Sequence, residues 1–288
     1  MNSLARFSRE LTQLHGCLDG RDFRRYLGCL ASSWQTVLRT RTLAPADSAM
    51  SGTVGVTVGG QRFAIPLDAM GQAVASFDTT PTFGSIREIY ADNVYLRAFK
   101  PGLTADVVVD LGSNRGMFLM LGAKVLGAKL AIGVEPEQRY APVFAALTAA
   151  NDEAAMNGGS ATGSATRAPR FVRLERFASA TPGPTTVTMR DIIATHAISS
   201  IGFLKCDIEG GEFDVFLNDP AFLAKVDNIA MELHPTAGEI VRLVDELTRH
   251  GFVVRVTDQF GREVAAKDGH YLYASRTGAL LPAPVNPS

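Results

Sequence analysis

Leu4, Phe7, Leu11, Leu14 and Leu18 recur at alternating steps of three and four residues, the spacing that lines one face of a helix. They predict a first helix over 3–18, ended by Asp19-Gly20. Phe23, Tyr26, Leu27, Leu30, Trp34 and Leu38 predict a second over 22–39, with those side chains on one side. The period then shortens. Residues 53–67 hold two β-prone runs around Gly59-Gly60 and read as a hairpin outside any larger sheet. A further helix is expected over 85–99, with Ile86, Ile89, Tyr90, Val94 and Leu96 packing and Pro101-Gly102 closing it.

From residue 106 the chain alternates β-branched runs with helical spacing. Strands are predicted at 106–111, 130–135, 171–175, 201–207, 228–233, 252–257 and 270–275, and helices at 116–127, 137–151, 188–196, 211–218 and 237–250. That alternation implies an α/β domain with a mostly parallel seven-stranded sheet covered on both faces, the last two strands forming an antiparallel pair. The expected organisation is a helical and hairpin appendage over 1–84, acting as a lid or in oligomerisation, and a nucleotide-binding domain over 85–288. Within the latter, the Gly, Ala, Ser and Thr tract around 157–166 makes 152–170 a flexible surface loop.

Composition narrows the setting. A net charge of -1 gives no general case for nucleic acid or an anionic membrane as partner. Cys17, Cys29 and Cys206 are odd in number and widely spaced, which suits reduced intracellular thiols better than disulfides or zinc. No apolar run approaches ~18 residues, so neither a membrane span nor a secretory signal is expected, and the protein is placed in the cytoplasm. The first helices carry Arg6, Arg9, Arg21, Arg24, Arg25, Arg39 and Arg41, but Glu10, Asp19 and Asp22 among them argue against a transit peptide. Helices that pack on the main domain, or on a second copy to make a homodimer, are the simpler reading.

The chemistry gathers at the strand ends. Val107-Val108-Val109 leads into Asp110, then Gly112, Ser113, Asn114 and Gly116, and a helix starts at Met117. The glycines allow close backbone approach to a ligand, and the loop's amides sit at a helix N-terminus. A dinucleotide fingerprint fails here because Asp110 and Arg115 stand where its outer glycines belong, and no Lys-Ser or Lys-Thr completes a P-loop. S-adenosylmethionine fits better: Asp110 answers its amino group, amides near Gly112 and Gly116 its carboxylate, and Glu135, before Pro136 at the end of the second strand, its ribose hydroxyls.

These segments together with Asn151, Val187-Thr188-Met189-Arg190-Asp191, Leu204-Lys205-Cys206-Asp207-Ile208-Glu209-Gly210-Gly211-Glu212-Phe213 and Met231-Glu232-Leu233-His234 resemble the FkbM-type S-adenosylmethionine-dependent methyltransferases over about residues 85–275. The resemblance implies a Rossmann-like class I methyltransferase fold, and a sheet order that sets the strand ending in Asp207 beside the cofactor strand.

Methyl transfer to a hydroxyl needs a base to take the proton as the bond forms. His234 is the first choice and Asp207 the alternative; Glu232, two residues before His234, is the candidate to orient it. Lys205 and Glu209 are expected to bind substrate hydroxyls or to hold the acids in place. Asp207, Glu209 and His234 also form a set suited to magnesium or manganese, although a metal is not favoured. The expected activity is O-methylation of a small-molecule hydroxyl, of a sugar or secondary metabolite. Two other readings stay open at this point: a non-catalytic binding or assembly protein on a methyltransferase scaffold, and an NAD-dependent oxidoreductase.

Overall fold

In the computed structural model, described over residues 3–72, 82–152 and 168–282, packing divides the chain into two units. The first takes in the chain up to Val94, Arg115–Leu121 and the segment from Gln138; the second takes in Tyr95–Asn114, Gly122–Glu137 and the chain from Ala168 onward. Residues 85–94 thus pack with the N-terminal segment, so this division does not coincide with a cut at 84/85.

In the first unit, α1 (Ser3–Cys17) and α2 (Gly20–Thr40) form where their apolar series predict. The buried side of α2 differs from the expected one. Tyr26, Leu30 and Val37 point inward, whereas Leu27, Trp34 and Leu38 are 40%, 45% and 58% exposed. At about 100° per residue, the exposed three centre roughly 80° round from the buried three, and a single contact face does not cover so wide an arc. After α3 (Ala44–Ser48), strands β1 (Thr53–Val58) and β2 (Gln61–Pro66) pair antiparallel with Val58 opposite Gln61. Gly59 and Gly60 turn the hairpin at φ 56° and 75°, left-handed values that a two-residue turn of this hand requires.

Helices α4 (Leu67–Gln72) and α5 (Thr82–Ile86) follow, and α5 runs into a π-helical turn over Arg87–Ala91. The helix expected over 85–99 ends there: Asn93 adopts φ 51°, which interrupts the helical repeat. Arg87 Nη2 lies 2.7 Å from Asp47 Oδ2, and the same buried carboxylate accepts the Tyr26 hydroxyl at 3.0 Å. Helix α6 (Met117–Val125) starts in this unit, and α7 (Tyr140–Ala150) lies within it. At the end of α7, Asn151 Oδ1 accepts from the Ala64 amide at 3.0 Å and its Nδ2 donates to the Ala64 carbonyl at 2.8 Å, which pins β2 by both backbone groups. The tract at 157–166, and with it most of the expected 152–170 loop, lies outside the described residues.

The second unit is built on one sheet of β3 (Val107–Leu111), β4 (Leu130–Val134), β5 (Arg170–Leu174), β8 (Phe203–Cys206), β9 (Asn228–Glu232), β10 (Val253–Thr257) and β11 (Tyr271–Ser275), in the order β10-β11-β9-β8-β3-β4-β5. These are the strands predicted from the sequence, and β11 runs antiparallel to both neighbours while β3, β4, β5, β8 and β9 are parallel. A short parallel pair, β6 (Phe177–Ala178) and β7 (Thr186–Val187), was not anticipated. Val108, Val109, Leu204, Ile229 and Leu272 are fully buried, each contributing about 1.5–3 kcal/mol by burial. Helix α8 (Met189–Thr195) opens on a capping box in which Thr188 Oγ1 accepts the Asp191 amide at 3.0 Å while Asp191 Oδ2 accepts the Thr188 amide at 3.2 Å. Helices α9 (Glu212–Asn218) and α10 (Ile240–Arg249) complete the layers. The chain leaves β3 toward β4 on one side and β8 toward β9 on the other, so these adjacent strands form the switch point at whose carboxyl ends such sheets bind ligands.

Candidate active site

At the end of β3 the chain turns on Gly112, at φ 75°. The amides of Gly112 and Ser113 both donate to the Val134 carbonyl, at 2.9 and 3.1 Å, and a Cβ on Gly112 would run into the Asp207 carbonyl oxygen. Asn114 is left-handed at φ 46°, and its amide donates to Glu135 Oε2 at 2.9 Å. Glu135 Oε1 accepts the Glu137 amide, also at 2.9 Å, so the turn through Pro136 fixes this carboxylate from both ends. Gly116 belongs to the first unit; it adopts φ 80°, and a Cβ there would overlap the Phe144 ring.

Asp110 is fully buried, with Lys205 Nζ 3.0 Å from its Oδ1. The aligned hydrogen bond of Lys205 goes instead to the Gly112 carbonyl, at 2.7 Å, and neither carboxylate oxygen of Asp110 accepts a hydrogen bond. The Ser113 hydroxyl, buried nearby in sequence, is likewise without a hydrogen-bond partner. Burial pushes the Asp110 carboxyl up to about 6 despite Lys205 beside it. Burial works against the charge on Lys205, but Asp110 and Asp207 outweigh it and hold the ammonium above its ordinary value. Lys205 therefore sits under the loop as a buried brace between two acids.

Asp207 follows the last residue of β8, and its Oδ2 accepts the Tyr95 hydroxyl at 2.9 Å and faces Lys205 Nζ at 3.6 Å. Strand alternation would put Asp207 and Glu209 on one side, but the strand has already ended at Cys206. Glu209 instead sits in a turn at φ 53°, followed by Gly210 at φ 99°, with its side chain 90% exposed. The turn still gathers the groups: ligand atoms of Asp207, Glu209 and His234 lie within 4.8 Å of one another, close enough to share one hydroxyl or one divalent cation. His234 Nε2 is 3.4 Å from Glu209 Oε2. On the other edge of the ring, Nδ1 is 3.0 Å from Glu212 Oε1, a carboxylate with no exposed surface. Glu232 does not occupy that place; its Oε1 lies 3.5 Å from His270 Nε2. Residues two apart on a strand share a face but not a contact, whereas Glu212 arrives from the helix after the turn.

Residues 110–254 match the model of the methyltransferase FkbM domain, which is half of the chain. The protein belongs to the FkbM methyltransferase family. It is accordingly an S-adenosylmethionine-dependent methyltransferase with a Rossmann-like class I fold. Within and beyond the family, the 31-O-demethyl-FK506 methyltransferase FkbM of Streptomyces tacrolimicus is 28% identical over 58% of this chain and 80% of that protein. The AMB antimetabolite synthetase AmbE of Pseudomonas aeruginosa is 38% identical over 30% of this chain, a match that spans 4% of that protein's length. Among solved structures, the precorrin-6y C5,15-methyltransferase of Geobacter metallireducens aligns at a TM-score of 0.36 and 10% identity, covering 64% of this chain and 88% of that one. TrmK of M. capricolum, in complex with S-adenosyl-homocysteine, aligns at 0.36 and 11%, covering 60% and 61%.

Two side chains at the methyltransferase strand ends escaped the sequence reading. Glu212 carried a signal in its place within Asp-x-Glu-x-x-Glu, a stretch that belongs to the family resemblance. Tyr95 carried none, since its tie to Asp207 spans 112 positions.

Proposed function

We propose that this FkbM-family protein transfers a methyl group to a hydroxyl of a small molecule, a sugar or secondary metabolite. The observation that carries the reading is the meeting of Asp207, Glu209 and His234 Nε2 at the carboxyl ends of β8 and β9, beside the strand that ends in Asp110. The residues present suit the cofactor: two buried carboxylate oxygens of Asp110 and the Ser113 hydroxyl lack hydrogen-bond partners, and Glu135 is fixed by two amides. Asp110, Gly112, Ser113, Asn114, Glu135 and Pro136 would hold S-adenosylmethionine, which supplies an electrophilic methyl on a sulfonium.

The chain's own task is to bind the acceptor and take its proton. Carboxylates accept hydrogen bonds and do not donate them, so Asp207 and Glu209 suit hydroxyl donors, and His234 Nε2 is the atom that receives the proton. An amine acceptor would need no such base, and the hydroxyl specificity in the name of the Streptomyces relative points the same way. The exposed Leu27, Trp34 and Leu38 support pairing of two copies through the N-terminal helices. No helix of the described residues is long and apolar enough to cross a membrane, and with three free thiols the cytoplasm is the compartment this reading assigns.

Methyl transfer from radiolabelled S-adenosylmethionine to a panel of monosaccharides, polyols and matched amines tests the proposal. Hydroxyl acceptors should be labelled, and His234→Ala or Asp207→Asn should lower that labelling by about 10²–10⁴-fold with S-adenosylhomocysteine still bound. Labelling of amines alone, or wild-type rates in both variants, would refute it.

A further inference from the structure

Glu212 is an acid without solvent contact whose three neighbours are all donors or can be. Its Oε2 accepts the Gly210 amide at 2.8 Å, and its Oε1 accepts the His234 amide at 2.9 Å and meets His234 Nδ1 at 3.0 Å. Both of its oxygens accept a fixed backbone amide, and a carboxylate accepts and does not donate. Nδ1 must then carry the proton, which leaves Nε2 as a lone pair in the neutral ring. That lone pair points to the side where Glu209 Oε2 stands 3.4 Å away. A lone pair on Nε2 beside a carboxylate oxygen calls for a donor next to it, and an acceptor hydroxyl is such a donor.

We infer that Glu212 is a positioning residue for this reaction: it fixes His234 in the Nδ1–H tautomer, with Nε2 open toward Asp207 and Glu209, and balances the imidazolium once Nε2 takes the hydroxyl proton. The inference rests on the reading of His234 as the base. Glu209 does not fill the same role, because its side chain is 90% exposed and solvent screens its charge. The connection to the chain is short. Gly210 and Gly211 turn the backbone directly after Glu209, so the residue that begins α9 is brought back under the ring that ends the β9 segment. One histidine is thereby gripped at backbone and side chain by one carboxylate.

Nitrogen-15 NMR of histidine-labelled full-length protein with S-adenosylhomocysteine bound reads the tautomer without needing the acceptor. Wild type should show His234 protonated on Nδ1. In Glu212→Ala no acceptor faces Nδ1, so the ratio should move at least about tenfold toward the Nε2–H form, with labelling of the hydroxyl acceptor lowered to match. An Nε2–H tautomer in wild type overturns the inference, even where the alanine variant does not fold. So does a folded Glu212→Ala protein whose tautomer ratio is unchanged. Failure of the base reading looks different: His234→Ala would keep its rate while the wild-type tautomer remained Nδ1–H.

Discussion

Affinity for the cofactor should depend on pH through Asp110. Burial raises this carboxyl from 3.8 to about 6, so without ligand it is largely ionised at pH 7.5 and largely protonated at pH 5. Only the ionised form offers both oxygens as acceptors to an ammonium group, and both stand without a hydrogen bond. A hydrogen bond to a charged group contributes about 1.5–3 kcal/mol, or roughly 10- to 160-fold in Kd. Isothermal titration with S-adenosylhomocysteine between pH 5 and 7.5 should therefore show Kd falling as pH rises through about 6, by up to about tenfold per unit before levelling. Asp110→Asn keeps the volume and loses the charge. Its Kd should lie near the acid limit of wild type and change little with pH. Folding carries the opposite sign. A raised carboxyl contributes its stability below 3.8 and loses it as pH rises through about 6, an amount of about 3 kcal/mol from the size of the shift. Asp110→Asn with wild-type affinity at both ends of the range would refute the reasoning, because it would show that the charge on Asp110 does not answer the amino group.

Two further outcomes concern stability. Gly112→Ala sets a Cβ on a residue at φ 75° against the Asp207 carbonyl, which should cost at least about 2 kcal/mol; an unchanged denaturation midpoint would show that the loop can shift without loss. Arg87→Met leaves the fully buried Asp47 without its cation, which should cost about 3–5 kcal/mol in urea unfolding. Because burial already raises Asp47, protonation should relieve part of that loss at pH 5, and an equal loss at pH 5 and 8 would count against the ion pair as its cause.

The sheet was legible because its signal is local and redundant. Each strand of the seven-stranded sheet announces itself by a short run rich in apolar and aromatic residues bounded by turn residues, and the alternation with helices leaves few ways to connect them. Packing partners are less legible. The series on α2 gave the helix but not its buried side, since six apolar residues fit the helical period equally well and only the neighbouring elements decide which face is covered. Likewise Ile86 to Leu96 have helical spacing, yet Asn93 at φ 51° ends the helix by a backbone choice that the apolar pattern does not encode.

The site was legible to the same depth, in its residue types more than in its contacts. Asp207, Glu209 and His234 do converge, through a turn and not by alternation along a strand. Spacing along a strand predicts a shared face; it says nothing about what approaches from the next helix. Two features placed under the ring, the Gly210-Gly211 turn and Glu212 with its three donors, convert a histidine at a strand end into one with a defined tautomer. A buried acid recognises itself only by its donors, and these are backbone amides, present at every position in the sequence and aimed at one point only in the fold. The orientation of His234 is therefore a property of the turn between β8 and α9, and a substitution that relaxed that turn would act on the proton transfer.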